Sequence, residues 1–395
     1  MVSKPPHRYV ALDSLRGLAA LGVAAFHIES AQGVTALPIF RAGNQFVDFF
    51  FVLSGFVIAA SYGERIAQGF PLRKFMALRL GRVWPLHFFM ILACLGMELV
   101  SVLAGPKLGI DRVPFTGFHS PDHILRALFL ADGYFPDRRN YYSGASWSIS
   151  VEILLYLLAA LAFRSGRLGK VLLVLSAPAA MVLLDANLSW PVLTDSVERG
   201  FAGFGLGVAV FFIHRRIANV GIVGATLLEG AVLALFFSDI WMTGSGGQFA
   251  PVILPSALVV LVMAQARGAV SRMLAQEPFA WLGRISYSIY MVHGLVVTAF
   301  VSLLMLASRA AGYPVVERVT MADATTTKRL VLSTVPATIA EFCIIACVLV
   351  AAHLAWRWIE EPARQWSRRM AGHGGNAAPV SENGNLPLMA VSNDD

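Results

Sequence analysis

Charge is scarce in this chain. Only 14% of its 395 residues are Asp, Glu, Lys or Arg, against about 25% in a soluble globular domain, and that shortage excludes an ordinary water-facing surface. Cysteine is scarcer still. Cys94, Cys343 and Cys347 are the three present, each inside an apolar run where a thiol packs as a small hydrophobe, so neither a disulfide framework nor a bound metal is expected. Acidic residues fall short of basic ones, leaving a net charge of +7. The basic residues nevertheless sit in short clusters between apolar runs rather than along one face, which argues against a nucleic-acid partner and for membrane topology.

What the chain has in abundance is apolar sequence, with 57% hydrophobic residues. A helix needs about 20 mostly apolar residues to cross the hydrocarbon of a bilayer. Ten such runs are predicted, near residues 9–30, 44–62, 83–104, 146–163, 169–186, 199–213, 219–238, 250–266, 285–307 and 335–358. The expected fold is therefore an all-α polytopic membrane protein of about ten helices.

Lys and Arg cluster in alternate loops: Lys4 and Arg8, then Arg65 to Arg82, Arg164 to Lys170, Arg215 and Arg216, Arg267 to Arg284, and Arg364 to Arg369. Basic loops are retained on the cytoplasmic side, so both termini are predicted to lie there. The first run carries Asp13 and Arg16 and has no small-residue cleavage site, so it reads as a retained helix rather than a signal peptide. Residues 1–370 are expected to form one membrane-embedded domain, and the Gly- and Asn-rich residues 371–395 a disordered cytoplasmic tail. The longer segments 105–145 and 308–334 are expected outside, over an acceptor site.

Ionisable groups at membrane depth cost several kcal/mol on insertion scales and are functional candidates by default. Arg16 and His27 are eleven residues apart on one face of the first helix, about 16 Å along its axis. Asp48 enters the second helix, followed by Ser54 and Gly55, small residues that permit close helix approach. In the fourth, Ser148, Glu152 and Tyr156 recur every four residues on one face. His27, Asp48 and Glu152 are predicted to converge on one outer layer. Arg79 and Arg82, before Pro85, are expected beside Arg16 as a phosphate-binding group. Tyr287, Tyr290 and His293 form an i, i+3, i+6 set that would border the same cavity.

Together these residues resemble the acyltransferase 3 family of bacterial integral membrane acyltransferases. The resemblance rests on Leu12-Asp13-Ser14-Leu15-Arg16-Gly17 followed by Phe26-His27, on Asp48 to Phe56, and on Arg79-Leu80-Gly81-Arg82-Val83-Trp84-Pro85. Trp147-Ser148 with Glu152, Leu282 to Tyr290 with His293, and Ile359-Glu360-Glu361-Pro362 add three further elements in the family's order.

The resemblance implies a multi-pass enzyme of the bacterial cytoplasmic (inner) membrane. It also implies acyl-CoA as co-substrate, acetyl-CoA by default, with no permanently bound cofactor and no metal. The acceptor would be a hydroxyl of a cell-surface glycan, lipopolysaccharide, exopolysaccharide or related compound. On this reading His27 is the general base, Asp48 or Glu152 orients it, and Arg16, Arg79 and Arg82 hold the nucleotide end of the donor. Ser54, Ser148, Tyr156, Tyr287, Tyr290, His293 and Glu360 are further cavity candidates. A proton- or ion-coupled transporter is the rival class, since such pathways also use intramembrane charges. It would favour inverted repeats, and none is evident.

Overall fold

The computed structural model describes residues 9–108, 113–116, 120–135, 145–186, 193–217, 221–246, 252–320 and 326–372. Of the expected tail, 371–395, all but its first two residues lie outside these. Each of the ten apolar runs falls on a helix. They are α1 (Val10–Phe26), α2 (Phe46–Ile58), α3 (Leu72–Leu108), then, after the short α4 (Pro121–Leu128), α5 (Ser146–Arg164) and α6 (Gly166–Asp185). There follow α7 (Asp195–His214), α8 (Ile222–Gly244), α9 (Ile253–Met263), α10 (Glu277–Ala311) and α11 (Thr334–Ala355); a charged helix outside the ten runs, α12 (Glu361–Met370), comes last.

Among the described residues, eight helical segments are long and apolar enough to cross a membrane. α1 has 17 residues and α9 has 11. Large apolar side chains stand on the outside of the bundle, with Leu103 78%, Val223 72% and Leu227 70% exposed. Apolar residues exposed in such number are stable against lipid and not against water. The chain is a multi-pass membrane protein.

Two helices are longer than their apolar runs. α3 and α10 contain 37 and 35 residues, about 55 Å by helical rise, and begin well before residues 83 and 285. The basic stretch from Arg73 to Arg82 is helical too, and this carries Arg79 and Arg82 on a rigid element instead of a loop.

Small residues set the helix crossings around the site. α1 packs chiefly on α10, and α2 on α7. A Cβ on Gly17 would lie 2.5 Å from the carbonyl carbon of Leu282, and one on Gly283 2.7 Å from that of Asp13. This backbone-to-backbone approach is what brings Arg16 within reach of α10. Gly207 of α7 meets the Val52 carbonyl of α2 in the same way.

Two irregularities lie near the site. A π-helical turn, Ala59–Gly63, follows α2, and a second, Trp356–Glu360, joins α11 to α12. Segment 308–334, expected only as an outside loop, contains a hairpin of β1 (Val316–Thr320) and β2 (Thr326–Leu330), antiparallel with Val316 opposite Leu330. Leu330 N–H donates to the Glu29 carbonyl at 2.9 Å, and Ala31 N–H to the Leu330 carbonyl at 3.0 Å. The hairpin is thereby fastened to the chain just beyond α1.

Candidate active site

α1, α2, α3, α5 and α10 enclose a cavity of about 100 Å³ lined by Arg16, Arg79, Arg82, Ser54, Glu152 and Tyr287, among others. Arg16 Nε donates to Ser286 Oγ at 2.8 Å and Nη2 to the Gly283 carbonyl at 3.3 Å, while Asp13 pairs with Nη2 at 3.1 Å. The guanidinium is thus held in place by α10 and its own helix. Arg79 is 8% exposed and lies over aromatic rings, 4.5 Å from the Tyr62 centroid and 5.6 Å from that of Tyr156. Its Nε has no hydrogen-bond partner among the described residues, an arrangement costly for a buried donor unless an anion or water completes it.

Facing these cations, Ser54 Oγ donates to Glu152 Oε1 at 2.8 Å, and the Tyr156 hydroxyl donates to the same oxygen. Two hydroxyls from α2 and α5 therefore orient the carboxylate without neutralising it. Glu360 lies just behind the cavity, where the π-helical turn aims it at α10. Ser288 Oγ donates to its Oε2 at 2.7 Å.

Tyr290 marks one end of the cavity. Its hydroxyl and Ser148 Oγ are 2.7 Å apart, and its ring is 5.8 Å from that of buried His293. His293 in turn packs against His27, ring centroids 4.7 Å apart. Nδ1 of His293 lies 2.7 Å from the Tyr290 carbonyl, and Nδ1 of His27 2.9 Å from that of Val23. A backbone carbonyl can only accept a hydrogen bond, so both rings carry hydrogen on Nδ1 and leave Nε2 as the basic nitrogen. His27 is exposed at the end of α1 and touches α10 rather than lipid alone.

The expected convergence of His27, Asp48 and Glu152 needs correction. Asp48 is fully buried, and Arg199 Nε of α7 donates to its Oδ1 at 2.8 Å. Ser54, the partner of Glu152, lies six residues further along α2, about 9 Å away by helical rise. The carboxylates therefore occupy different layers. Glu152 belongs with the arginines, while Asp48 is held by Arg199. The Tyr287, Tyr290 and His293 series also divides. Tyr287 and Tyr290 line the cavity, with Tyr287 donating to the Val83 carbonyl at 2.6 Å, whereas His293 joins His27.

Several participants escaped the sequence reading. Ser286, Tyr62 and Phe50 carry no charge and stand out only once α1, α2 and α10 are placed. Arg199 did carry a signal. It is a cation beside a loop otherwise lacking Lys and Arg, so the topology rule left it unexplained.

The profile of an acyltransferase-domain family matches residues 9–357. The chain belongs to this acyltransferase family. Within it, the chain is 33% identical over 171 residues to the acyltransferase MdmB of Streptomyces mycarofaciens, covering 40% of this chain and 41% of that protein. It is 38% identical over 88 residues to protein 2 in the picA locus of Rhizobium radiobacter, covering 22% of this chain and 44% of that protein. The chain thus spans under half the length of these curated relatives. No solved structure matches it.

Proposed function

We propose that this family member is a membrane O-acyltransferase that moves an acyl group, acetyl by preference, from cytosolic acyl-CoA to a hydroxyl of a surface glycan, lipopolysaccharide, exopolysaccharide or related acceptor. In this reading both termini are cytoplasmic and the protein resides in the bacterial inner membrane. The observation that carries the proposal is the convergence of Arg16, Arg79 and Arg82 on one cavity bordered by Tyr290, whose ring packs against His293 as His293 packs against His27. The named acyltransferase relative adds weight to it over a transporter.

The donor's phosphates sit on the arginines, whose guanidinium forks match phosphate oxygens. Its pantetheine arm reaches toward Tyr290. The small cavity, about 100 Å³, favours a short acyl group over a long chain. At the far end His27 Nε2 takes the acceptor's hydroxyl proton as the oxygen attacks the thioester carbonyl. A C–O bond forms, the C–S bond breaks, and the imidazolium returns the proton to the departing thiolate. His293 holds the His27 ring, and the Tyr290 hydroxyl, paired with Ser148 at 2.7 Å, borders the acyl end of the donor.

The test is transfer by purified protein in proteoliposomes. His27→Ala is expected to lower transfer by about 10²–10⁴-fold, the usual share of a general base, with normal abundance and thermal stability. Full activity in that variant contradicts the assignment.

A further inference from the structure

α1 has a second working face. Arg16, Ala20, Val23 and His27 follow the i, i+4, i+7, i+11 spacing of one side. Leu15, Leu18, Gly22 and Ala25 lie on the other, along a separate cavity of about 400 Å³. Its remaining walls come mainly from α2, α8, α11 and the segment around Thr35 to Phe40. The lining is apolar except at Thr35 and Glu341.

Three features say what such a cavity holds. First, its exposed lining residues are Leu18 at 36%, Phe237 at 39% and Phe342 at 63%. Its mouth thus lies between α1, α8 and α11, on helices whose outer faces meet the bilayer. Water gains nothing in a space so lined, whereas hydrocarbon is at hand in excess. Second, Leu15 and Ala25 are ten residues apart, so the cavity runs about 15 Å along α1, a length suited to an extended alkyl chain. Third, the polar pair sits at one end and close to His27. Thr35 Oγ1 donates to the carbonyl of Ile28, the residue after His27, at 2.9 Å, and Thr35 N–H donates to Glu341 Oε2 at 3.1 Å.

We infer that this cavity takes the hydrocarbon tail of a lipid-linked acceptor, so that its hydroxylated headgroup emerges at the C-terminal end of α1 beside His27. The inference rests on the transfer reading above and specifies its acceptor as a membrane amphiphile. The two cavities then divide the substrates. The donor approaches the arginine face of α1, and the acceptor is anchored on the opposite face, with the histidine end common to both.

The test uses the full chain in lipid nanodiscs with a dodecyl glucoside bearing a diazirine in its alkyl chain. Photoadducts are expected on residues 15–25 and 339–345. Leu18→Trp, which narrows the mouth, or Ile345→Trp if the first variant is poorly folded, is expected to reduce them about tenfold, since each methylene left unburied costs roughly fourfold in binding. Adducts spread evenly over α8 and α11 and unchanged by both variants would overturn the inference. So would equal labelling by a diazirine phospholipid, which would mark a site for bulk lipid. In parallel, acetyl transfer to dodecyl glucoside is compared with transfer to glucose. The alkyl acceptor is expected to have the higher kcat/KM, and Leu18→Trp to lower that preference about tenfold. Cavity labelling with no transfer to either sugar counts against the transfer reading while supporting the hydrocarbon site. Transfer to both sugars without cavity labelling counts against the site alone.

Discussion

Asp48 and Glu152 are both acids inside apolar helices, and the structure treats them in opposite ways. Asp48 is fully buried with Arg199 fixed against it at 2.8 Å, an ion pair that ties α2 to α7. Glu152 lines a cavity opposite Arg16, Arg79 and Arg82, and hydroxyls rather than a cation meet its oxygen. A carboxylate whose counter-ion is supplied by the fold is architecture. One that faces cations across an open space, oriented by Ser54 and Tyr156, keeps its charge available to a substrate.

The contrast can be broken by substitution. The largest expected effect is on stability. Asp48→Ala leaves the largely buried Arg199 guanidinium without its counter-ion, a loss of about 3–5 kcal/mol, visible as low abundance and a reduced unfolding temperature. A normally stable Asp48→Ala would remove its architectural role. Next, Arg79→Met keeps the aromatic stack and removes charge-assisted hydrogen bonds worth about 1.5–3 kcal/mol. It should raise the KM for acyl-CoA by roughly 10–100-fold while leaving the acceptor KM unchanged, and equal effects on both would count against the donor assignment. Glu152→Gln retains acceptors for Ser54 and Tyr156. Its unfolding temperature should stay near wild type while kcat/KM falls roughly tenfold, about one charged hydrogen bond's worth. The smallest effect is that of Tyr290→Phe, which deletes the bond to Ser148 and should cost about 1 kcal/mol, or roughly fivefold in kcat.

Much of the membrane architecture was legible because hydropathy and length report directly on burial in lipid. All ten apolar runs fall on helices, and the 3.6-residue period correctly set Ser148, Glu152 and Tyr156 on one side of α5. Axial offset between helices was not legible. Nothing in the local sequence says that Glu152 lies level with Ser54 rather than Asp48, because that depends on how Gly207 seats α7 on Val52 and how α5 then follows. The β1–β2 hairpin was missed for a related reason. Its strands are polar and short, with residues such as Glu317, Arg318, Lys328 and Arg329, and it gains its place by pairing with Glu29 to Ala31, far away in sequence. His27 and His293 were both recognised as candidates, but their contact became visible only once Gly17 and Gly283 had brought α1 and α10 together.

The most direct test places purified protein in liposomes with radiolabelled acetyl-CoA on the side of the Arg16 end of α1 and a hydroxylated amphiphile in the bilayer. The account predicts that label leaves coenzyme A and appears as an ester on the amphiphile, and that His27→Ala stops this. Labelled acetyl-CoA crossing the membrane intact, with no ester formed, would contradict it.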